Sequence, residues 1–349
     1  MKLHYLFPLF LLFAACTNDE PPVEPVPPIE AADQTVYIVN EGQFQAGNAS
    51  LSLYDPATGE LQNDVFASVN ERLLGDVFQS MTFFQDRAYL VINNSGKVEV
   101  VDPTTIESLG TIEGLTSPRF LLPLSASRAY VSDLYADGLA IVDPSEYAVV
   151  GDIPSGPWVQ MPRFRHEQMV EADGVVFVTN YQQPYLYLID PATDAFVDSI
   201  GLGLRAARLQ TDAEGTLWVL ARADYASDSP GALYRVDPAT RQVLQALTFP
   251  AGEGPGEMAF NPTRDTLYYT AGDLFALPIT ATALPSEPVV RGVDGPFSGV
   301  GVDPANGDLY TSDVIDFVQR GLVFRFSASG QPLDTLRVGV GPMRFYFQN

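Results

Sequence analysis

Side chains able to carry covalent chemistry are few in this sequence. Its 349 residues include two histidines, His4 and His166, and one cysteine, Cys16. His4 and Cys16 belong to the first sixteen residues, so the rest of the chain keeps His166 alone. That leaves Ser–His–Asp triads, Cys–His dyads and His/Cys zinc sites close to excluded: a triad would rest on His166 alone, and the others have no second cysteine or histidine to draw on. There is also no G-x-S-x-G, no Walker loop and no G-x-G-x-x-G after a strand. What the inventory does offer is recognition chemistry. Acidic residues number 43 against 19 basic, a net charge of −24, and the only lysines are Lys2 and Lys97. The remaining cations are arginines, whose planar fork of donors grips carboxylates or phosphates through two bonds at once. The densest stretch is residues 156–166, GPWVQMPRFRH, where Trp158 sits near Arg163, Arg165 and His166. Two prolines limit its freedom, so it reads as a preformed contact or a lid packed on its neighbour. So acidic a chain would be repelled by nucleic-acid phosphates, which excludes that class of partner.

The elements that must position these residues are short strands. Residues 175–200, VVFVTNYQQPYLYLIDPATDAFVDSI, read as three strands, at 176–179, 185–189 and 195–200. Asp190-Pro191 turns the chain between the last two, Asp accepting backbone N–H groups while Pro pre-sets φ. The unit recurs. Its first-strand aromatic returns as Tyr37, Tyr89, Tyr130, Phe177, Trp218, Tyr268 and Tyr310, at intervals of 52, 41, 47, 41, 50 and 42. Its turn returns as Asp55-Pro56, Asp102-Pro103, Asp143-Pro144, Asp190-Pro191 and Asp237-Pro238, then decays to Leu277-Pro278 and Ser327-Ala328. Several strands per unit of 40–50 residues define an all-β fold, a seven-bladed β-propeller of four-stranded blades. Blade one lacks a strand before Tyr37. The last segment, Gly341-Pro342-Met343-Arg344-Phe345-Tyr346-Phe347, resembles Gly254-Pro255-Gly256-Glu257-Met258-Ala259-Phe260, the innermost strand of blade six. The C-terminal strand is therefore expected to pair in blade one and close the ring.

Phe177-Val178-Thr179-Asn180, leading to Ile189-Asp190-Pro191, resembles the YVTN-type seven-bladed repeat. Residues 38–44 and 48–55 resemble the start of DUF5074-like propeller lipoproteins on the surface of Bacteroidetes-type bacteria. The likeness covers nearly all of residues 35–349. It implies that loops at one end of the ring crowd around a channel mouth. There the register places Phe44, Arg119, Tyr135, Trp158, Arg163, Arg165, His166, Asn180, Tyr181, Arg208 and Arg344, the candidate ligand-binding residues. Taken singly, each arginine is better accounted for by a salt bridge to a nearby Asp than by ligand contact, and Tyr181 is suited as well to packing between blades. Propeller lactonases hold a divalent ion in the channel. Glu41, Asp133, Asn180 and Asp313 could supply ligands, although solvated loop acids account for them as well, and no metal or other cofactor is expected.

The front of the chain divides into residues 1–15, 16–34 and 35–349. The apolar run from Tyr5 to Ala15 is too short to span a membrane, and Cys16 follows Ala14-Ala15 as the lipidated residue of a lipoprotein signal would. Phe13 stands where such a signal usually has Leu. Residues 17–32, TNDEPPVEPVPPIEAA, are a proline-rich acidic tether. Asn18-Asp19-Glu20 resembles an acidic surface-export tag. The expectation is an outer-membrane, surface-displayed protein touching the membrane only through its lipid, with a periplasm-facing orientation as the alternative. By resemblance, relatives capture a scarce nutrient, cobalamin-like molecules included, and pass it to a TonB-dependent transporter. A propeller face binding another envelope protein is the second reading, and a metal-assisted hydrolase or quinoprotein-like enzyme the third.

Overall fold

The computed structural model describes residues 34–155, 165–224, 227–293 and 295–348. The signal segment, Cys16 and the tether up to residue 33 lie outside them, as do Trp158 and Arg163. Among the described residues no helix is long and apolar enough to cross a membrane.

Seven antiparallel sheets form seven blades in a ring. Their innermost strands are Pro342–Phe347 in blade one, Phe78–Phe84 in two, Pro118–Ser125 in three and His166–Ala172 in four. Ala206–Thr211, Met258–Phe260 and Val300–Val302 follow in blades five to seven. Each second strand is apolar on both faces because each blade is covered on both sides. In Arg87–Ile92 of blade two, Leu90 and Ile92 pack toward blade one, while Tyr89 and Val91 pack toward blade three. Seven such clusters fill the seven gaps between neighbours. Fully burying one of these side chains is worth about 1.5–3 kcal/mol, so the ring is held by blade-to-blade burial.

The repeated aromatic has a physical reason. From Tyr37 to Tyr310 it always faces the following blade. A buried phenol needs a partner, and in blades one to three the next blade's turn provides it. Tyr37 Oη donates to Pro103 O at 2.8 Å, Tyr89 Oη to Pro144 O at 3.2 Å, and Tyr130 Oη to Asp194. The turn aspartates cap themselves: Asp55 Oδ1 accepts Ala57 N at 2.8 Å, Asp102 Oδ1 accepts Thr104 N at 2.8 Å, and Asp190 Oδ1 accepts Ala192 N at 2.9 Å.

Blade six is where the turn motif decays, and only three of its strands are regular. Its fourth place is taken by an isolated bridge, in which Val289 N donates to Leu274 O at 2.8 Å and Leu274 N to Val290 O at 2.9 Å.

The ring closes as the sequence implies. Pro342–Phe347 pairs antiparallel with Val36–Asn40, placing Arg344 opposite Val39 and Tyr346 opposite Tyr37. Blade seven admits this strand through glycines. A Cβ on Gly299 would lie 2.3 Å from Met343 O, and one on Gly301 2.6 Å from Phe345 Cβ.

Candidate functional site: the axial channel

All innermost strands start at the same end of the ring, and several start irregularly. The pairing register shifts between Phe78 and Ser80, Pro118 and Leu121, His166 and Met169, and Ala206 and Arg208. Bulges of this kind re-aim side chains. Here they and their counterparts place Gln79, Arg119, Glu167, Arg208, Glu257 and Arg344, one from each of six blades, around the channel mouth.

The six form a belt. Arg119 bonds Gln79 through Nη1 and Glu167 through Nη2, the latter at 2.9 Å. Arg208 Nη1 lies 3.7 Å from Glu167, and its Nε and Nη2 clasp Glu257 in two bonds of 2.5 Å. Arg344 Nη2 stands 3.8 Å from Glu257, while its Nη1 donates to Glu41 at 2.8 Å. Arg222, after blade five's second strand, adds a third guanidinium to Glu257 at 2.5 Å. The guanidinium carbons of Arg208 and Arg344 lie 5.6 and 5.7 Å from the Phe120 ring centroid, within cation–π range. Four guanidiniums thus meet three carboxylates.

Burial makes this pairing obligatory. Glu167 is 2 % exposed, Glu257 5 %, Arg208 6 % and Arg344 9 %, and a lone charge so placed would cost several kcal/mol. Burial by itself pushes the Glu257 carboxyl up, but Arg208, Arg222 and Arg344 outweigh it and hold the pKa at about 2. Conversely, burial pulls Arg222 down, with the neighbouring cations Arg208 and Arg344 adding to the effect against Glu257. Arg344 is raised despite its burial, because Glu257 and Glu41 face it.

Beneath the belt lies a cavity of about 410 Å³, lined by Phe120, Arg208, Gln210, Glu257, Arg344 and Tyr346 among others. Elsewhere polar side chains stitch one innermost strand to the next. Ser80 Oγ donates to Arg119 O, Thr82 Oγ1 to Leu121 O, and Gln210 Nε2 to Met258 O. The residues at the Thr82 and Gln210 position in blades six and seven are Ala259 and Gly301, which carry no such stitch and line the cavity.

Of the residues read from sequence, Arg119, Arg208 and Arg344 are brought together here. Arg165, Tyr135 and Tyr181 meet at the rim between blades three and four. The Arg165 guanidinium lies 5.6 Å from the Tyr135 ring centroid, and Tyr181 N donates to Arg165 O at 3.0 Å. Tyr135, Tyr181 and, on blade one's loop, Phe44 are exposed.

Two candidates are corrected by their surroundings. His166 is fully buried, its Nε2 3.0 Å from Ser155 Oγ and its ring stacked on Phe196 at 5.4 Å. Burial lowers its pKa to about 3, so it is a neutral core side chain. Asn180 is also fully buried, and its Oδ1 accepts the N–H groups of Gln182 and Gln183 at 2.8 Å, capping its own turn. The carboxylates considered for a metal are occupied similarly. Asp133 accepts Ser117, Tyr135 and Ala136 N–H groups, Asp313 accepts Ile315 N, and Glu41 holds Arg344. Among the described residues no three His, Cys, Asp or Glu side chains converge as a metal site would require.

Glu167, Glu257 and Phe120 escaped the sequence reading as site residues. One signal for Glu257 was present, because GPGEMAF and GPMRFYF set Glu257 and Arg344 at the same place in the repeat.

A ring of this architecture with a charged axial mouth belongs to the seven-bladed β-propellers. Residues 34–338 match the family described as a domain of unknown function, DUF5074, and the chain belongs to that family. Among solved structures it is similar to a quinoprotein alcohol dehydrogenase-like protein from Bacteroides thetaiotaomicron, with a TM-score of 0.67 and 14% identity over 90% of this chain and 78% of that one. A periplasmic gluconolactonase of Pseudomonas aeruginosa is similar at a TM-score of 0.63 and 15% identity, over 89% and 99% of the two chains. A dihydro-heme d1 dehydrogenase is similar at 0.60 and 12%, over 96% and 78%. At these identities the likeness is one of fold. No curated protein matches the chain by sequence.

Proposed function

We propose that this protein is a non-enzymatic binding protein of the cell surface, anchored in the outer membrane through a lipid on Cys16. Its channel end takes up a small ligand and hands it to a TonB-dependent transporter. The observation that carries this reading is the cavity of about 410 Å³ under a belt of paired arginines and glutamates. Loops carrying Phe44, Tyr135 and Tyr181 surround that end, and loop aromatics on a rigid scaffold are suited to contact. A hydrolase is less well supported, since the carboxylates that would hold its metal are engaged in turns and ion pairs. A second reading, a docking platform for another envelope protein, is favoured by the exposure of Phe44 at 63 %, Leu73 at 69 % and Val318 at 62 % on loops at that end.

Membrane fractionation tests the anchor and the partner together. Wild-type protein is expected in the outer-membrane fraction, carrying acyl mass and co-purifying with a TonB-dependent transporter, while Cys16→Ser is released in soluble form. An unacylated wild type, or a Cys16→Ser variant that stays with membranes, would overturn the anchor. Stoichiometric recovery of a different envelope protein would favour the platform.

A further inference from the structure

The axial cavity has the opposite charge sign to the protein around it. The chain carries 43 acidic and 19 basic residues, yet the charged side chains lining the cavity are Arg208, Arg264, Arg344 and one acid, Glu257. Glu257 is held ionised by its neighbours, so it cancels only one of those cations. Arg344 is the side chain with capacity to spare. Its Nη1 serves Glu41 at 2.8 Å, but its Nη2 stops 3.8 Å short of Glu257, beyond hydrogen-bond range. The adjoining lining is aromatic: Phe120 carries the Arg208 and Arg344 guanidiniums against its ring, and Tyr346 also lines the cavity. A volume of about 410 Å³ falls at the small end of metabolite sites.

We propose that this cavity binds a small organic carboxylate with a flat apolar body. The carboxylate sits on Arg344 and Arg208, and the body lies against Phe120 and Tyr346. This assignment names the ligand class of the binding reading above and rests on it. One negative charge suffices, because four guanidiniums and three carboxylates leave the belt with one cation in excess. An apolar body is required because the aromatic wall offers a multiply charged inorganic ion no compensation for its lost hydration.

Calorimetric titration of the full-length protein with benzoate, benzamide and inorganic phosphate tests the assignment. Benzoate is expected to bind saturably. Benzamide, of the same shape but uncharged, is expected to bind at least about tenfold more weakly, as loss of a charged hydrogen bond would give. Arg344→Gln should lose benzoate by a similar factor. Since that variant also disturbs Glu41 and Glu257, Ala259→Leu provides a second probe, filling the cavity without touching the belt. Equal binding of benzoate and benzamide, tighter binding of phosphate, no benzoate binding, or undiminished binding by Ala259→Leu would each overturn the assignment. Failure of benzoate alongside intact co-purification with a transporter would remove the carboxylate and leave the hand-over standing.

Discussion

At one end of the ring Asp102, Asp190 and Asp237 accept hydrogen bonds from N–H groups two and three residues further along the chain or from adjacent hydroxyls. At the other end Glu167 and Glu257 bond arginines 48 and 49 residues away, and Glu41 bonds one 303 residues away. The turn acids stay near solvent and shape one blade each. Of the belt acids Glu167 and Glu257 are buried and Glu41 half-buried, and all depend on neighbouring blades arriving in register. The same functional group is thus a local punctuation mark at one end and a tertiary contact at the other, and its removal should cost accordingly.

The largest effect is expected from deleting residues 341–349. That removes the strand beside Val36–Asn40 and takes Arg344 out of the belt. Burial and pairing are lost together, and the cost should be about 5 kcal/mol or more, comparable with the whole stability of many domains. Urea denaturation measures it, and an unchanged midpoint would mean that the channel end does not depend on closure.

Glu257→Gln should come next. Three guanidiniums lose their shared carboxylate in a buried place, at a cost of about 3–5 kcal/mol. Acid should act on the wild type in the same sense. The folded Glu257 pKa of about 2 lies below its ordinary value of 4.5, so its contribution is complete above 4.5 and is lost as pH falls toward 2. His166, lowered from 6.5 to about 3, binds its proton more readily when unfolded, so stability also falls as pH drops from 6.5 toward 3. Glu257→Gln should shrink the loss in the lower window, to which Glu99, lowered despite its burial by Arg72 and Lys97, also contributes, and spare the upper, as thermal melts across pH 2–7 would show. An unaltered pH profile would refute the pairing.

Asp190→Ala should have the smallest effect, about 1 kcal/mol, the usual worth of a capping hydrogen bond of this kind. A loss as large as that of Glu257→Gln would erase the contrast between the two ends.

Much of the fold was legible in the amino-acid sequence because its determinants are local. Alternating apolar residues, Asp-Pro turns and an aromatic every 41 to 52 residues specify strands, hairpins and blade number. Even ring closure could be read, since GPMRFYF repeats GPGEMAF. The irregular outer edge of blade six was foreshadowed only by the decay of its turn motif. The candidate site was half legible. Arg208 and Arg344 fall at one repeat position and Arg119 one residue away from it, which spacing reveals. His166 opens an innermost strand beside Glu167 and Asn180 pairs with it from the second strand, and whether the first side chains of such a strand face the channel or the core depends on which way its bulge tips them. Glu167 looks like any other acid of a chain with 43 of them, and Glu257 is marked only by sharing its repeat position with Arg344. Only the closed ring, by excluding water from the channel mouth, turned these two into obligatory partners of the arginines.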